Sequence, residues 1–212
     1  MNKKVLYSLF PLLCAVSLIV SSAVPKIEHL VWADTGYDAV FPYELTPPDP
    51  TVLLNFTSKP ILEFDVPPSL LTSTLFFEWN GSLSYTWSGN NPRRMVGEVL
   101  YQFISPLIPA GVVVQGGMTI CSLYANNPAD LAQTGSARAS RYAKHVLRKS
   151  TLDWWGVFYA EDPSVPYPGA LQVLNKLIKN GFHVQVLASG NVQGVSSVRY
   201  VQVTCQVTRT AS

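Results

Sequence analysis

The chain has 212 residues, of which 48% are hydrophobic and only 13% charged, against roughly 25% charged in an ordinary soluble domain. That balance excludes intrinsic disorder, which needs low hydrophobicity and high net charge, and a net charge of +2 gives no overall field for nucleic acid. With 16 Pro and 13 Gly a coiled coil is also excluded, leaving one compact, turn-rich domain with a weakly charged, partner-seeking surface.

In chain order, Asn2, Lys3 and Lys4 precede an apolar run from Val5 to Val20, followed by Ser21-Ser22-Ala23. These are the n-, h- and c-regions of a secretory signal. The other reading is an apolar arm lying against a neighbouring subunit. Residues 25–50 carry Pro25, Pro42, Pro47, Pro48 and Pro50, so an extended segment is expected that cannot be a central strand. It still carries Leu30, Val31, Trp32 and Phe41, side chains that need burial. The division predicted is an N-terminal arm over 1–50 and a β domain over 51–212, with the arm making few contacts to its own domain.

From Thr51 the pattern becomes that of strands. Val52 to Phe56 and Ile61 to Val66 are apolar runs, the second stopped by Pro67-Pro68. Leu75 to Trp79 reads as a strand, Asn80-Gly81 as a tight turn, and Leu83, Tyr85 and Trp87 alternate with polar residues as a second strand. Further strands are expected at Val99 to Ile104, from Val112 through Met118 to Tyr124, and over 152–160 (LDWWGVFYA). The last, with Val201, Val203, Cys205 and Val207 alternating with polar residues, is the clearest. About eight strands separated by Pro, Gly and Asn turns indicate a sandwich or barrel. Two segments read as helices. Ala139, Tyr142, Ala143 and Val146 have helical spacing within 137–149, and Leu171, Leu174, Leu177 and Ile178 repeat likewise before the stop Asn180-Gly181. The second could instead open a helix-to-strand unit of a mixed α/β fold.

No catalytic constellation stands out. His29, His145 and His183 are far apart, and there is no H-E-x-x-H, G-x-S-x-G or phosphate-loop motif. Glu161 and Asp162 are adjacent, so on an extended chain they point to opposite faces and cannot flank one bond. Gly116-Gly117 reads as a bulge or turn. The three cysteines, Cys14, Cys121 and Cys205, are too few for a disulfide scaffold, and free thiols are expected ahead of a Cys121–Cys205 bridge. The expectation is a non-enzyme with no metal and no cofactor. Arg138, Arg141, Lys144, Arg148 and Lys149 form an acid-free basic stretch that reads as either a solvated face or a non-specific phosphate contact. Trp79, Trp87, Trp154 and Trp155 read as core or subunit interface, with a sugar platform as the other possibility. Asn55-Phe56-Thr57 and Asn80-Gly81-Ser82 match the glycosylation triplet.

FDVPPSLL at 64–71, FFEWNGSLSYTW at 76–87, Val165-Pro166-Tyr167 and the strand-like Val198 to Thr208 together resemble the jelly-roll capsid proteins of picorna-like positive-strand RNA viruses, of picornavirus, dicistrovirus or comovirus type. The chain departs from them in carrying Trp79-Asn80-Gly81 where the family has an aromatic-Arg-Gly step, and in its 170–179 segment. The resemblance implies an all-β, eight-stranded antiparallel jelly-roll sandwich with short connecting helices. It implies a structural subunit that self-assembles with sister subunits into an icosahedral shell around an RNA genome, located in the virion. Trp32, Phe41, Trp154 and Trp155 are then candidate subunit contacts. Arg138, Arg141, Lys144, Arg148 and Lys149 are candidate contacts to genomic RNA or to a neighbouring subunit; the sequence points to no particular receptor. The alternative from another class is a secreted β-sandwich binding or adhesion protein from which residues 1–23 are cleaved.

Overall fold

The computed structural model of the chain describes residues 26–36, 41–44, 53–88, 93–125, 134–148, 151–153, 157–160 and 170–210. Eight long strands dominate: β1 (Ile27–Asp34), β3 (Leu54–Val66), β4 (Leu75–Ser88), β5 (Arg93–Ile104), β6 (Val112–Ala125), β7 (Thr134–Arg148), β10 (Phe182–Gln193) and β11 (Ser197–Thr210). Among the described residues, three short strands, β2 (Phe41–Glu44), β8 (Thr151–Asp153) and β9 (Val157–Ala160), extend the sheets, and one helix, α1 (Ala170–Asn180), precedes β10. One sheet runs β1-β11-β4-β7-β8 with β2 also on β11, and the other runs β3-β10-β5-β6-β9. Every pairing is antiparallel.

Ranking the eight long strands in chain order, the sheets read 1-8-3-6 and 2-7-4-5. First pairs with last, second with seventh, third with sixth and fourth with fifth, as in one long hairpin rolled up on itself. This is the jelly roll, a double Greek key. Each long strand alternates, so one face enters the interior. Phe77, Trp79 and Leu83 of β4 and Val203, Cys205 and Val207 of β11 come from one sheet. Val99, Tyr101 and Phe103 of β5 and Val184 and Val186 of β10 come from the other. Trp79 stacks on Tyr101 with centroids 4.3 Å apart and planes 7° from parallel, so the centre is filled by aromatic side chains. Cys205 is buried, Cys121 is half-buried, and both are free thiols.

The helix predicted at 170–180 is present. Val173, Leu174, Leu177 and Ile178 form its buried stripe and close one end of the sandwich. Gly181 ends it at φ 77°, the left-handed conformation that a side chain resists, and an added Cβ would lie 2.7 Å from the Val66 carbonyl oxygen. Ser69 N–H donates to Ile178 O at 2.8 Å, tying the Pro67-Pro68 corner to the helix.

Several expectations are corrected. Residues 137–148 are not helical: β7 pairs with β4 over fourteen consecutive positions, from Leu75 opposite Leu147 to Ser88 opposite Thr134. Ala137, Ala139, Ala143, His145 and Leu147 alternate toward the interior, a period-two pattern that alanine-rich composition disguises. Asn80-Gly81 is not a turn but the middle of β4. The sheets approach closely there, and a Cβ at Gly81 would fall 2.7 Å from Ile120 Cδ1, so a larger residue would displace side chains of the facing sheet. Gly116-Gly117 likewise lies within an unbroken strand, β6. The 54–66 region is one strand, with Pro60 tolerated because β3 is an edge. The 152–160 stretch is divided between β8 in one sheet and β9 in the other.

Residues 25–50 were expected to have few contacts with their own domain. Instead β1 pairs with β11 from Ile27 opposite Thr210 to Asp34 opposite Thr204, and β2 continues along the same edge from Phe41 opposite Tyr200. The sandwich therefore begins at residue 27 rather than 51. The prolines exclude a central strand but not an edge strand. Trp154, Trp155, Glu161, Asp162, Val165-Pro166-Tyr167, Lys149 and the apolar N-terminal run lie outside the described residues.

Candidate interaction surfaces

The outward residues of the β1-β11-β4-β7 sheet form rows fixed by register. Trp32 lies opposite Gln206, Gln206 opposite Glu78, and Glu78 opposite Lys144. The neighbouring row runs Thr204, Asn80, Tyr142. A shallow depression of ≈430 Å³ is lined by Trp32 and Tyr142, with Asn80, Ser82, Ser140 and Gln202 among the polar groups. Trp32 is 64% exposed and Tyr142 54% exposed, large values for aromatics on a rigid sheet. The rim is organised by hydrogen bonds. Gln202 Nε2 donates to both Asp34 carboxylate oxygens at 3.1 Å, and Asp34 Oδ1 accepts Gly36 N–H at 2.8 Å.

Beside the depression, Lys144 Nζ donates to Glu78 Oε1 at 2.6 Å and lies 4.9 Å from the Phe76 ring centroid. The ammonium hydrogen bond holds the Glu78 carboxyl below the usual carboxylate range, and Glu78 in turn raises Lys144. A depressed carboxyl pKa adds stability above the unfolded value and loses it as pH falls through the folded value. Both groups are partly solvated, so Glu78→Gln is expected to cost about 0.5 kcal/mol at neutral pH. Urea unfolding from neutral to acidic pH should show the wild-type advantage shrinking once Glu78 protonates.

Of the five basic residues predicted as contacts, the structure distributes four along a strand. Arg138 and Lys144 fall on the outer rows, Lys144 already neutralised by Glu78. Arg141 pairs with Gly81 and lines the depression, and Arg148 is exposed at the end of β7. The helical cationic face expected from the sequence is thus absent. His145 is buried. The Tyr101 hydroxyl donates to Gly117 O at 3.1 Å and lies 2.7 Å from His145 Nε2. His183 Nδ1 lies 2.8 Å from Asp65 Oδ1, and His29 Nδ1 accepts from Gln206 Nε2 at 2.8 Å. Among the described residues no three His, Cys, Asp or Glu side chains group as a metal site.

Of the aromatics predicted at an interface, Trp32 is exposed in the single subunit, and Phe41 falls in β2 with its side chain outside the described residues. Trp79 is wholly buried and Trp87 packs on Tyr85 at 5.7 Å, so neither forms a sugar platform. The helical spacing read for 137–149 places Tyr142 on a helix, whereas it lies on β7. Only the strand alternation of 134–148 could have placed it across the sheet from Trp32.

A second surface lies at the helix-capped end. A groove of ≈690 Å³ is lined by Pro68, Leu70, Leu71 and Ser73 of the β3–β4 corner, by Lys179 of α1 and by Arg209 of β11, with Glu28 of β1 at its rim. Arg209 organises it, donating to Glu28 Oε2 at 2.8 Å, Pro68 O at 3.0 Å and Ser69 Oγ at 3.2 Å. The Glu28 carboxyl is held below its usual range by that guanidinium. Leu70 is 62% exposed and Ile27 60%.

No protein-family model and no curated protein matches the chain. Among solved structures it is similar to one described as the structure of infectious bursal disease virus, Gt strain. The identity is 12% and the TM-score 0.22, over 90% of this chain. The chain spans 38% of the length of that matched chain.

Proposed function

We propose that the chain is a structural subunit of a viral shell, a jelly roll that joins sister subunits into an icosahedral particle around an RNA genome in the virion. The nested 1-8-3-6 over 2-7-4-5 strand order carries the reading. Jelly rolls serve viral capsids, lectins and cupins, so the step from fold to shell is an analogy of architecture. Two features of this molecule favour the shell among the three. The space between the sheets is filled by Trp79, Tyr101, Phe77 and Phe103 instead of enclosing a ligand chamber. The surface keeps charge low and exposes Trp32 and Tyr142 on one sheet face, the aromatic enrichment expected of a contact between subunits. The picorna-like type, suggested by FDVPPSLL and FFEWNGSLSYTW, is part of the same proposal.

Trp32→Asp tests it. The side chain is mostly solvated in the single subunit, so the variant should fold with an unchanged unfolding midpoint and fail to form particles in sedimentation. Particles formed at wild-type yield would remove Trp32 from the interface.

Within the shell, Arg138, Arg141 and Arg148 are the proposed RNA contacts, with Lys144 weakened for that role by Glu78. Contact would be non-specific, because phosphates carry charge without base identity. Each phosphate lost changes the log–log salt slope by about 0.7 for a single strand, so replacing the three arginines with Gln should flatten it by about 2. An unchanged slope would assign them to the solvated surface.

A second reading, a secreted β-sandwich binding protein, is favoured by the signal-like pattern of residues 1–23. The mass of the mature polypeptide separates the two, since secretion predicts a chain beginning at Val24.

A further inference from the structure

We propose that the groove at the helix-capped end is the docking site for the chain's own apolar N-terminal run, Val5 to Val20. The groove offers Pro68, Leu70 and Leu71 as an apolar wall, and Leu70 stands 62% exposed in it. Its ≈690 Å³ is open to solvent along one side and takes several apolar side chains of the run. Two of the ionic groups at the rim are engaged with one another, Arg209 holding Glu28 as well as Pro68 O and Ser69 Oγ. A guest without charge therefore enters without disturbing a salt bridge. Val5 to Val20 contains no Asp, Glu, Lys or Arg.

Connectivity selects the same chain. β1 starts at Ile27, opposite Thr210, at this end of the sandwich, and the next residue, Glu28, is part of the groove's lining. The link from Val20 to Ile27 can extend by roughly 24 Å at about 3.4 Å per residue, so the run reaches Leu70 and Leu71 from where β1 begins. A tethered segment also meets its site at high effective concentration, which favours it over the same segment of a second copy. The docked run would cover Leu70, one of the most exposed aliphatic side chains among the described residues. The inference is independent of the shell reading, because it concerns a single polypeptide.

Cys14, within the run, supplies the test. In full-length protein carrying Leu70→Cys or Leu71→Cys, a short bismaleimide should join Cys14 to the new thiol, and Cys14→Ser should abolish the product. When isotopically light and heavy protein are mixed before reaction, the linked peptides should be all light or all heavy. Predominantly mixed pairs would assign the groove to a second copy and overturn the proposal. So would the lack of any link from Cys14 at either position while both thiols react singly with maleimide, or a mature chain that begins at Val24. A separate variant, Leu70→Asp, is mostly solvated and should leave the sandwich folded. It should speed proteolysis on the N-terminal side of Lys26 about tenfold, the change that corresponds to 1.4 kcal/mol of lost contact. Unchanged proteolysis would also overturn the proposal.

Discussion

Replacing Trp79 with alanine is expected to cost the sandwich about 4 kcal/mol, the largest effect of any single substitution considered. Trp79 is wholly buried on β4, which lies between β11 and β7. Its ring stacks on Tyr101 of the opposite sheet at 4.3 Å and meets Phe64 of β3 at 6.2 Å. Truncation thus removes the side chain that joins the two sheets and leaves a cavity that paired strands cannot collapse around. A loss of that size is a large fraction of the 5–15 kcal/mol that typically holds a domain together. The midpoint of urea unfolding should fall accordingly, with the slope unchanged. Trp79→Phe keeps an aromatic ring in place and gives up an indole N–H that has no hydrogen-bond partner, so it should cost less than half as much. A cost under about 1.5 kcal/mol for the alanine variant would contradict the packing described.

Tyr200→Phe should cost about 2 kcal/mol although it removes one oxygen. Tyr200 belongs to β11, but its hydroxyl reaches the other sheet. It accepts Glu98 N–H at 3.0 Å, and its proton is offered to Ser189 O at 2.6 Å and Glu98 O at 2.9 Å. Ser189 and Glu98 are themselves opposite one another on β10 and β5, so one side chain fastens two strands of the facing sheet. Glu98 also adjoins the register shift between β5 and β6, where the ladder is irregular. Burial pushes the Tyr200 hydroxyl well above its ordinary pKa, so it stays a donor throughout the working pH range. Phenylalanine would leave buried backbone groups without that partner. Hydrogen exchange at the Glu98 amide should accelerate along with the loss of stability, whereas a neutral substitution would show that solvent replaces the hydroxyl.

These two residues show how far the sequence could be read. Period-two alternation from Leu83 to Trp87, and again from Val201 to Val207, identifies strands without any structure. The capped helix at 170–180 is equally legible, because Leu174, Leu177 and Ile178 recur at helical spacing before Asn180-Gly181. Misreadings occurred where composition and environment disagree. β7 carries alanines and arginines that suit a solvated helix, yet fourteen paired positions along β4 decide its conformation. Asn80-Gly81 has the composition of a turn, but the glycine is there to admit Ile120 from the facing sheet. The edge position of β1 was hidden by the prolines on its flanks, which forbid central strands but not edges.

The interaction surfaces were less legible than the fold, since each is assembled from distant parts of the chain. Trp32 and Tyr142 are separated by over a hundred residues and meet only through the β1-β11-β4-β7 order. The end groove likewise draws Glu28, Leu70, Lys179 and Arg209 from four elements. Exposed Trp32 alone was visible in advance, as a large side chain in a segment short of places to bury it.

The functional account makes the sandwich a building block whose exposed sheet face meets neighbours. Sedimentation of material containing the full chain, followed by electron microscopy of the fractions, addresses that claim most directly. The account predicts that the chain, with residues 1–23 retained, travels in closed megadalton particles of uniform diameter. Recovery of the chain only at its monomer mass, near 23.3 kDa or shortened to begin at Val24, would contradict it.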